Sequence, residues 1–244
     1  MNPAKPVPDW QRAFHARVDP HRRTSSLSDL ILGGQDGIVA VLGALLGVAA
    51  ASSSARLVVA VGLATAFADA ISMAAVAYTS MLAHADVYKS EREREYRHIR
   101  EVPTLEEAEV RDIYARKGFT GPLLEQIVTT IVQNPDAWVA VMLSEEHQLR
   151  PVERRHALRS AFVVGVATML GALLPVVPFS LLSVRAAAWA SAGVAACALF
   201  GIGAYKARVT SGKVWKAGLE MAAIGIASAL VGWAIGAALG VTGT

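Results

Sequence analysis

Apolar residues in this chain gather into long runs instead of alternating with polar ones. No Asp, Glu, Lys or Arg occurs in Ser160–Val184, Ala186–Tyr205 or Met221–Thr244. Each run reaches the ~20 residues that a helix needs to cross a ~30 Å hydrocarbon core. Two earlier runs, Leu30–Ala51 and Leu57–His84, are interrupted by one carboxylate each, Asp36 and Asp69, with the turn Ser52-Ser53-Ser54 between them. Three further spans are predicted at Leu158–Val177, closed by Pro175 and Pro178, Val184–Tyr205 and Val214–Gly240, with Ser211-Gly212 separating the last two. The pattern predicts an all-α polytopic membrane protein with five transmembrane helices and a polar insert between the second and third.

Inside the insert the pattern changes. Tyr88–Arg100 is rich in Glu and Arg and lacks Gly and Pro, so the second span is expected to continue beyond the membrane as one long helix. Val102-Pro103-Thr104 should break it, and Thr104 followed by Glu107 resembles a capping box opening a helix that ends at Gly118. Helices at Pro122–Gln133 and Pro135–Gln148 complete a small subdomain. Its short length and few apolar residues predict that it leans on itself or on a partner copy.

Composition agrees with a membrane protein: 54% of the residues are hydrophobic and 18% charged, against roughly 25% charged in soluble domains. The single cysteine, Cys197, excludes a disulfide framework or a Cys-based zinc site within one chain. The first 27 residues are polar, with Pro3, Pro6 and Pro8 and a basic cluster at His21, Arg22 and Arg23; no signal peptide is expected there. Charge then sets orientation. With the N-terminus cytoplasmic, 21 of the 23 Lys and Arg lie on the cytoplasmic side and only Arg56 and Arg185 opposite. The expected organisation is a cytoplasmic segment 1–27, spans one and two in 28–84, a cytoplasmic helical metal-binding domain 85–156 and spans three to five in 157–244. The net charge of +3 then reports topology, with no nucleic-acid partner implied.

Candidate chemistry lies in two places. In the insert, Glu91 and Glu95 are four apart with His98 three further on, Glu106 and Glu109 are three apart with Asp112 another three on, and Met142 and Glu146 are four apart beside Glu145 and His147. Such spacings share a helix face, so three helices could aim oxygen ligands at one centre suited to Mn²⁺ or Fe²⁺. The competing reading is a solvated face laced by Glu–Arg pairs, strongest for the run Glu91–Glu95. Within the membrane, a carboxylate costs at least ~2.5–3.5 kcal/mol on insertion scales and usually faces a cavity, a partner or an ion route. At ~1.5 Å per residue, Asp36 lies about 9 Å and Asp69 about 12 Å from the cytoplasmic edge, so the two sit at similar depth. Thr65, Asp69 and Met73 form one stripe. Asp36 could instead cap a local helix break beside Gly37, Met73 could be packing, and Glu220 is expected to pair with Lys216. Gly43-xxx-Gly47 and Gly232-xxx-Gly236-xxx-Gly240 are small-residue seams for packing or dimerisation.

Ser28-Asp29-Leu30-Ile31-Leu32-Gly33-Gly34-Gln35-Asp36-Gly37, Ala70-Ile71-Ser72-Met73, Val102-Pro103, Leu174-Pro175-Val176-Val177-Pro178 and Ile224-Gly225 occur in that order. With them the chain resembles the vacuolar iron transporter family, over about Ser28 to Gly240. The resemblance implies a five-span homodimer with its translocation path between protomers, proton-coupled export of Fe²⁺ and often Mn²⁺ from the cytoplasm, and a cytoplasmic Glu/Met metal-binding domain. It places the membrane ligands at Asp36 and Met73, and the insert ligands at Glu95, His98, Glu106, Glu109, Met142 and Glu146. Two departures stand out. The family's second-span Glu falls at Thr65, where Asp69 one turn away would substitute, and His98 stands where a Glu is expected.

The resulting expectation is a multi-pass, homodimeric divalent-metal/H⁺ antiporter. The insert gathers cations and passes them to Met73, Asp69 and Asp36, with protons and metal competing for the carboxylates. No cofactor is expected beyond the transported metal. The expected location is a bacterial inner membrane, with a vacuolar membrane as the alternative. Other readings are a Mn²⁺-preferring exporter, a membrane-anchored metal-binding or sensing module, and an oxidase, which the missing paired Glu-x-x-His motifs disfavour.

Overall fold

The computed structural model describes residues 25–210 and 212–240. The expected segment 1–27 therefore falls almost wholly outside the described residues, as does Ser211. Among the described residues nine α-helices follow in order: α1 Ser25–Ala51, α2 Ala55–Glu101, α3 Pro103–Arg116, α4 Gly121–Val132, α5 Pro135–Val141, α6 Arg154–Leu173, α7 Val177–Leu181, α8 Val184–Val209 and α9 Val214–Leu239. Five of them, α1, α2, α6, α8 and α9, are long and apolar enough to cross a membrane. Among the described residues there is no strand.

The long second helix is present as expected: α2 runs 47 residues without a break. No Gly or Pro interrupts it after Gly62, so nothing stops the backbone ladder where the sequence turns from apolar to charged. Its first turn is capped by Ser54, whose side chain accepts from the Leu57 N–H at 3.3 Å.

Where α2 stops, the expected capping box does not form. Val102 is the N-cap of α3, without a side-chain cap bond, and Thr104 lies inside the helix. Pro103 takes the first helical position, where its preset φ and missing N–H cost nothing, so the start moves ahead of the Thr104–Glu107 pair. The last insert helix also departs from expectation. Only Pro135–Val141 is α-helical, begun by Asn134 accepting from the Asp136 and Ala137 N–H groups. Met142–Glu146 then widens into a π-helical turn. The third span ends at Leu173, earlier than the expected Val177. Pro175 and the short α7 follow, and the Ser191 hydroxyl donates to the Pro175 carbonyl at 2.7 Å in a buried position.

α1 is the central member of the bundle. Val41, Leu42 and Leu45 are completely or almost completely buried, and the helix is gripped at two levels by helices that approach backbone to backbone. Near its start, a Cβ on Gly37 would lie 2.1 Å from the Thr168 carbonyl oxygen of α6. Near its end, a Cβ on Gly232 of α9 would lie 2.0 Å from the Gly43 carbonyl oxygen, and one on Gly236 1.9 Å from that of Gly47. The two glycine seams thus meet each other within one chain, which places them in packing and leaves neither free for dimerisation. Such close approach gives van der Waals contact in a medium where burial of apolar surface drives nothing.

The insert has a small apolar core of its own: Val110, Ile113, Leu124, Val128, Trp138 and Met142, flanked by Ile99 of α2 and by Phe119 and Ile131. It leans on the extension of α2, which belongs to the insert itself.

Candidate metal centres

The upper group begins with the reversal at Val102. Because α3 folds back beside the end of α2, residues eight apart in sequence meet: His98 Nδ1 lies 3.1 Å from Glu106 Oε1, and it is 3.9 Å from Glu95 Oε1 on its own helix. Glu95 and Glu106 are almost wholly buried, 2% and 3% exposed. Each keeps its second oxygen, Oε2, buried without a hydrogen-bond partner. Charged or polar oxygens left in this state cost free energy unless something fills them. Glu95, His98 and Glu106 present ligand atoms all within 4.8 Å of one another.

Electrostatics tighten the same cluster. The Glu106 carboxyl is pushed up to about 7, first by burial and then by the charges of Glu95 and Glu109, with His98 opposing. Glu146 is raised as well, by desolvation and by Glu109, with His147 pulling the other way. Glu109, half-buried on α3, therefore sits within reach of both. With Glu109 and Glu146 nearby, the carboxylates and imidazoles of this region make an oxygen-rich cluster with nitrogen at its edge, a donor set that could hold a borderline divalent cation.

Several residues fall elsewhere than their spacing suggested. Met142 is fully buried in the insert's apolar core. Asp112 turns outward to Arg116 at 3.0 Å. Glu91 shows both expected characters: its Oε2 accepts from Arg94 at 2.8 Å, and it also stands with Glu95 and His147. His147 was not singled out as a ligand from the sequence, yet its Nε2 is 3.1 Å from Glu95 Oε1. The π-helical turn explains this. Its i→i+5 bond joins the His147 N–H to the Met142 carbonyl, so residues five apart align where ordinary helical spacing would align four. The sequence carried only the His beside Glu145 and Glu146; the wider turn leaves no composition signal.

The second group is roughly 39 Å away along α2, the rise over the 26 residues from Asp69 to Glu95. Asp36 of α1 and Asp69 of α2 are both half-buried, on helices that pack against each other. Asp69 Oδ2 is buried without a partner. Among the described residues neither carboxylate has a basic side chain in salt-bridge range of 4.0 Å. Thr65 and Met73 are half-buried one turn to either side of Asp69. Asp36 lies within continuous helix, so it does not cap a break. Glu220 meets Lys216 at 3.8 Å with both side chains exposed, as expected of a surface pair. An apolar hollow of about 970 Å³ between α1, α8 and α9 has Arg185 as its one charged lining residue and no carboxylate, so it plays no part in this chemistry.

Comparison with known proteins reaches the same region of protein space. The model of the VIT family matches residues 27–237. Vacuolar iron transporter 1 of Eucalyptus grandis is 34% identical over 91% of this chain and 90% of its own. Vacuolar iron transporter 1 of Arabidopsis thaliana is also 34% identical, over 91% and 90%. A more distant relative, the vacuolar iron transporter of Plasmodium falciparum (isolate 3D7), is 30% identical over 54% of this chain and 51% of its own.

Proposed function

The chain belongs to the VIT family, and from that premise we propose that it is a homodimeric antiporter exporting Fe²⁺, and also Mn²⁺, from the cytoplasm in exchange for protons. The relatives' names supply iron as the cargo. The observation that carries the reading is the pair Asp36 and Asp69: two half-buried carboxylates on packed apolar helices, neither with a basic partner in salt-bridge range among the described residues. A pair in that state has two ways to be neutralised, protonation or a bound cation, and exchanging one for the other couples the two flows. Lysine and arginine asymmetry supports a cytoplasmic N-terminus and insert. The insert cluster then meets the cation first, with Glu95, His98 and Glu106 at its centre and Glu109 and Glu146 beside them. Met73, one turn from Asp69 on the insert side, offers a thioether on the way to the pair.

The face of α2 supports the homodimeric reading. Leu63, Phe67 and Ile71 are exposed around Asp69, so a second copy laid there would shield the carboxylates from lipid. The decisive experiment is Fe²⁺ and Mn²⁺ uptake into proteoliposomes under an imposed pH gradient. Asp36→Ala and Asp69→Ala should each reduce proton-driven uptake to the leak of empty vesicles, and uptake at wild-type rates in either variant would overturn the antiporter.

The roughly 39 Å between Asp69 and Glu95 along α2 favours a second reading, a membrane-anchored metal-binding module in which the spans serve as an anchor. On that reading the wild-type chain moves no metal, and Asp36→Ala changes nothing.

A further inference from the structure

At the end of the bundle away from the insert, α8 lines its side of the hollow of about 970 Å³ mostly with small residues, Ala188, Ala192, Gly193 and Ala196. A Cβ on Gly193 would meet nothing within 4 Å. Large side chains are missing where they would be needed to close the space between α8, α1 and α9. The hollow begins at Arg185, and Ala196 lies eleven residues further on, about 16 Å along the helix. Half of a ~30 Å hydrocarbon core is about 15 Å, so the hollow has the depth of one leaflet. Trp189 and Trp233 also line it, 79% and 56% exposed, and tryptophan is the residue type that seats at the level of lipid head groups.

Arg185 supplies the charge. It occupies the first turn of α8, where a cation opposes the helix dipole, so it does not stabilise that helix end. Its own chain offers it no carboxylate side chain either. No Asp or Glu occurs in residues 37–68, 154–219 or 221–244, which include every described segment at this end of the bundle. A guanidinium without a carboxylate, set at the mouth of an apolar hollow one leaflet deep, matches a molecule with an anionic head and a hydrocarbon tail. The fork of arginine donors suits a phosphate in particular. We infer that the hollow is a binding site for an anionic phospholipid of the leaflet away from the insert, with one acyl chain lying between α1, α8 and α9 and the phosphate paired with Arg185. A second copy of the chain laid on the same face would bring two carboxylate-free surfaces together and leave both arginines unpaired. The inference depends on the five helices spanning a bilayer and is independent of the metal chemistry.

Quenching of tryptophan fluorescence by brominated lipid tests the site in the full chain, reconstituted into phosphatidylcholine vesicles. Dibrominated phosphatidylglycerol or dibrominated phosphatidylcholine is included in increasing fraction, and the signal of Trp189 is the part of the quenching lost in Trp189→Phe. Phosphatidylglycerol should be preferred about fivefold at Trp189, the effect of one basic side chain beside an anionic head group. Arg185→Gln should bring the ratio to one, and Arg185→Lys should keep most of the preference. Ala192→Phe, which puts a ring into the hollow, should remove the preference with Arg185 intact. Arg56→Gln, at the same end but outside the hollow, should leave it unchanged. Equal quenching by the two lipids in the wild-type chain overturns the site, as does a preference that persists in Arg185→Gln or Ala192→Phe, or one that is lost in Arg56→Gln. Absence of quenching at Trp189 by either lipid would mean that protein covers this face, and overturns it too. Metal transport does not enter these measurements, so the antiporter stands or falls separately.

Discussion

Helix α2 carries both acidic groups, Asp69 in its apolar half and Glu95 in its charged half, and the two halves differ most in what nitrogen they offer. Around Glu95 stand His98 and His147. Around Asp69 there is a second carboxylate, a hydroxyl-bearing Thr65 and the thioether of Met73 one turn away, with no basic side chain in salt-bridge range among the described residues. Permanent cations beside the membrane pair would compete with cargo, whereas imidazoles beside the insert cluster can join the cargo's ligand shell. The difference suits the first pair to passage and the second to retention. On the proposed reading, carboxylates on one continuous helix take their roles from the helices packed beside them.

Separating the two groups by mutation is the largest test of that contrast. Asp69→Ala should abolish proton-driven uptake in proteoliposomes while leaving the number of Co²⁺ ions bound by the insert unchanged. A parallel loss of binding would mean that the groups act as one.

Acid should act on the insert with a defined sign. Glu106 has its carboxyl raised to about 7 by burial and neighbouring charge, so metal binding there weakens as pH falls through 7. Lowering pH from 7.5 to 5.5 should cut Co²⁺ affinity about 20-fold, from proton competition at one such group; Glu106→Gln should bind weakly and lose most of that dependence. Stability of the metal-free chain moves the opposite way. Between the ordinary Glu value of 4.5 and about 7, the folded state holds more protons than the unfolded one, so this group's contribution to stability decreases as pH rises. Glu106→Gln should therefore raise the melting temperature of the metal-free protein at pH 8.

The glycine seam sharpens the contrast from the structural side. Gly232→Ala would set a Cβ 2.0 Å from the Gly43 carbonyl, and separating α1 from α9 should cost about 1–3 kcal/mol, read as a lower melting temperature in detergent. Gly193→Ala, with open space around it, serves as the control and should leave melting unchanged. The smallest effect is expected at Glu220. Its pairing with Lys216 joins two exposed side chains at 3.8 Å, and Glu220→Gln should alter neither transport nor melting, consistent with the weakness of surface pairs.

Much of the fold is legible in the residues because its causes are local. Transfer of a helix into hydrocarbon depends on the composition of about twenty neighbours, so α1, α2, α6, α8 and α9 are visible as runs, and Asp36 and Asp69 are conspicuous as exceptions within them. The break at Val102-Pro103 is local as well, since Pro103 cannot extend the preceding helix but can begin the next. That break brings Glu95, His98 and Glu106 together.

What packing decided lies where a residue's neighbours come from distant parts of the chain. Met142 was grouped with Glu146 by a spacing of four, and the core of Val110, Val128 and Trp138 buries it, while the π-helical turn brings His147 to Glu95. The glycine seams announced close approach in the sequence, but only the bundle decided that Gly43 and Gly47 meet Gly232 and Gly236 of the same chain. Composition determined which segments are helical and apolar, because hydration and backbone propensity act on each stretch by itself. Tertiary structure decided which side chains face one another, because contact and electrostatic energies depend on distances between helices that no single stretch contains.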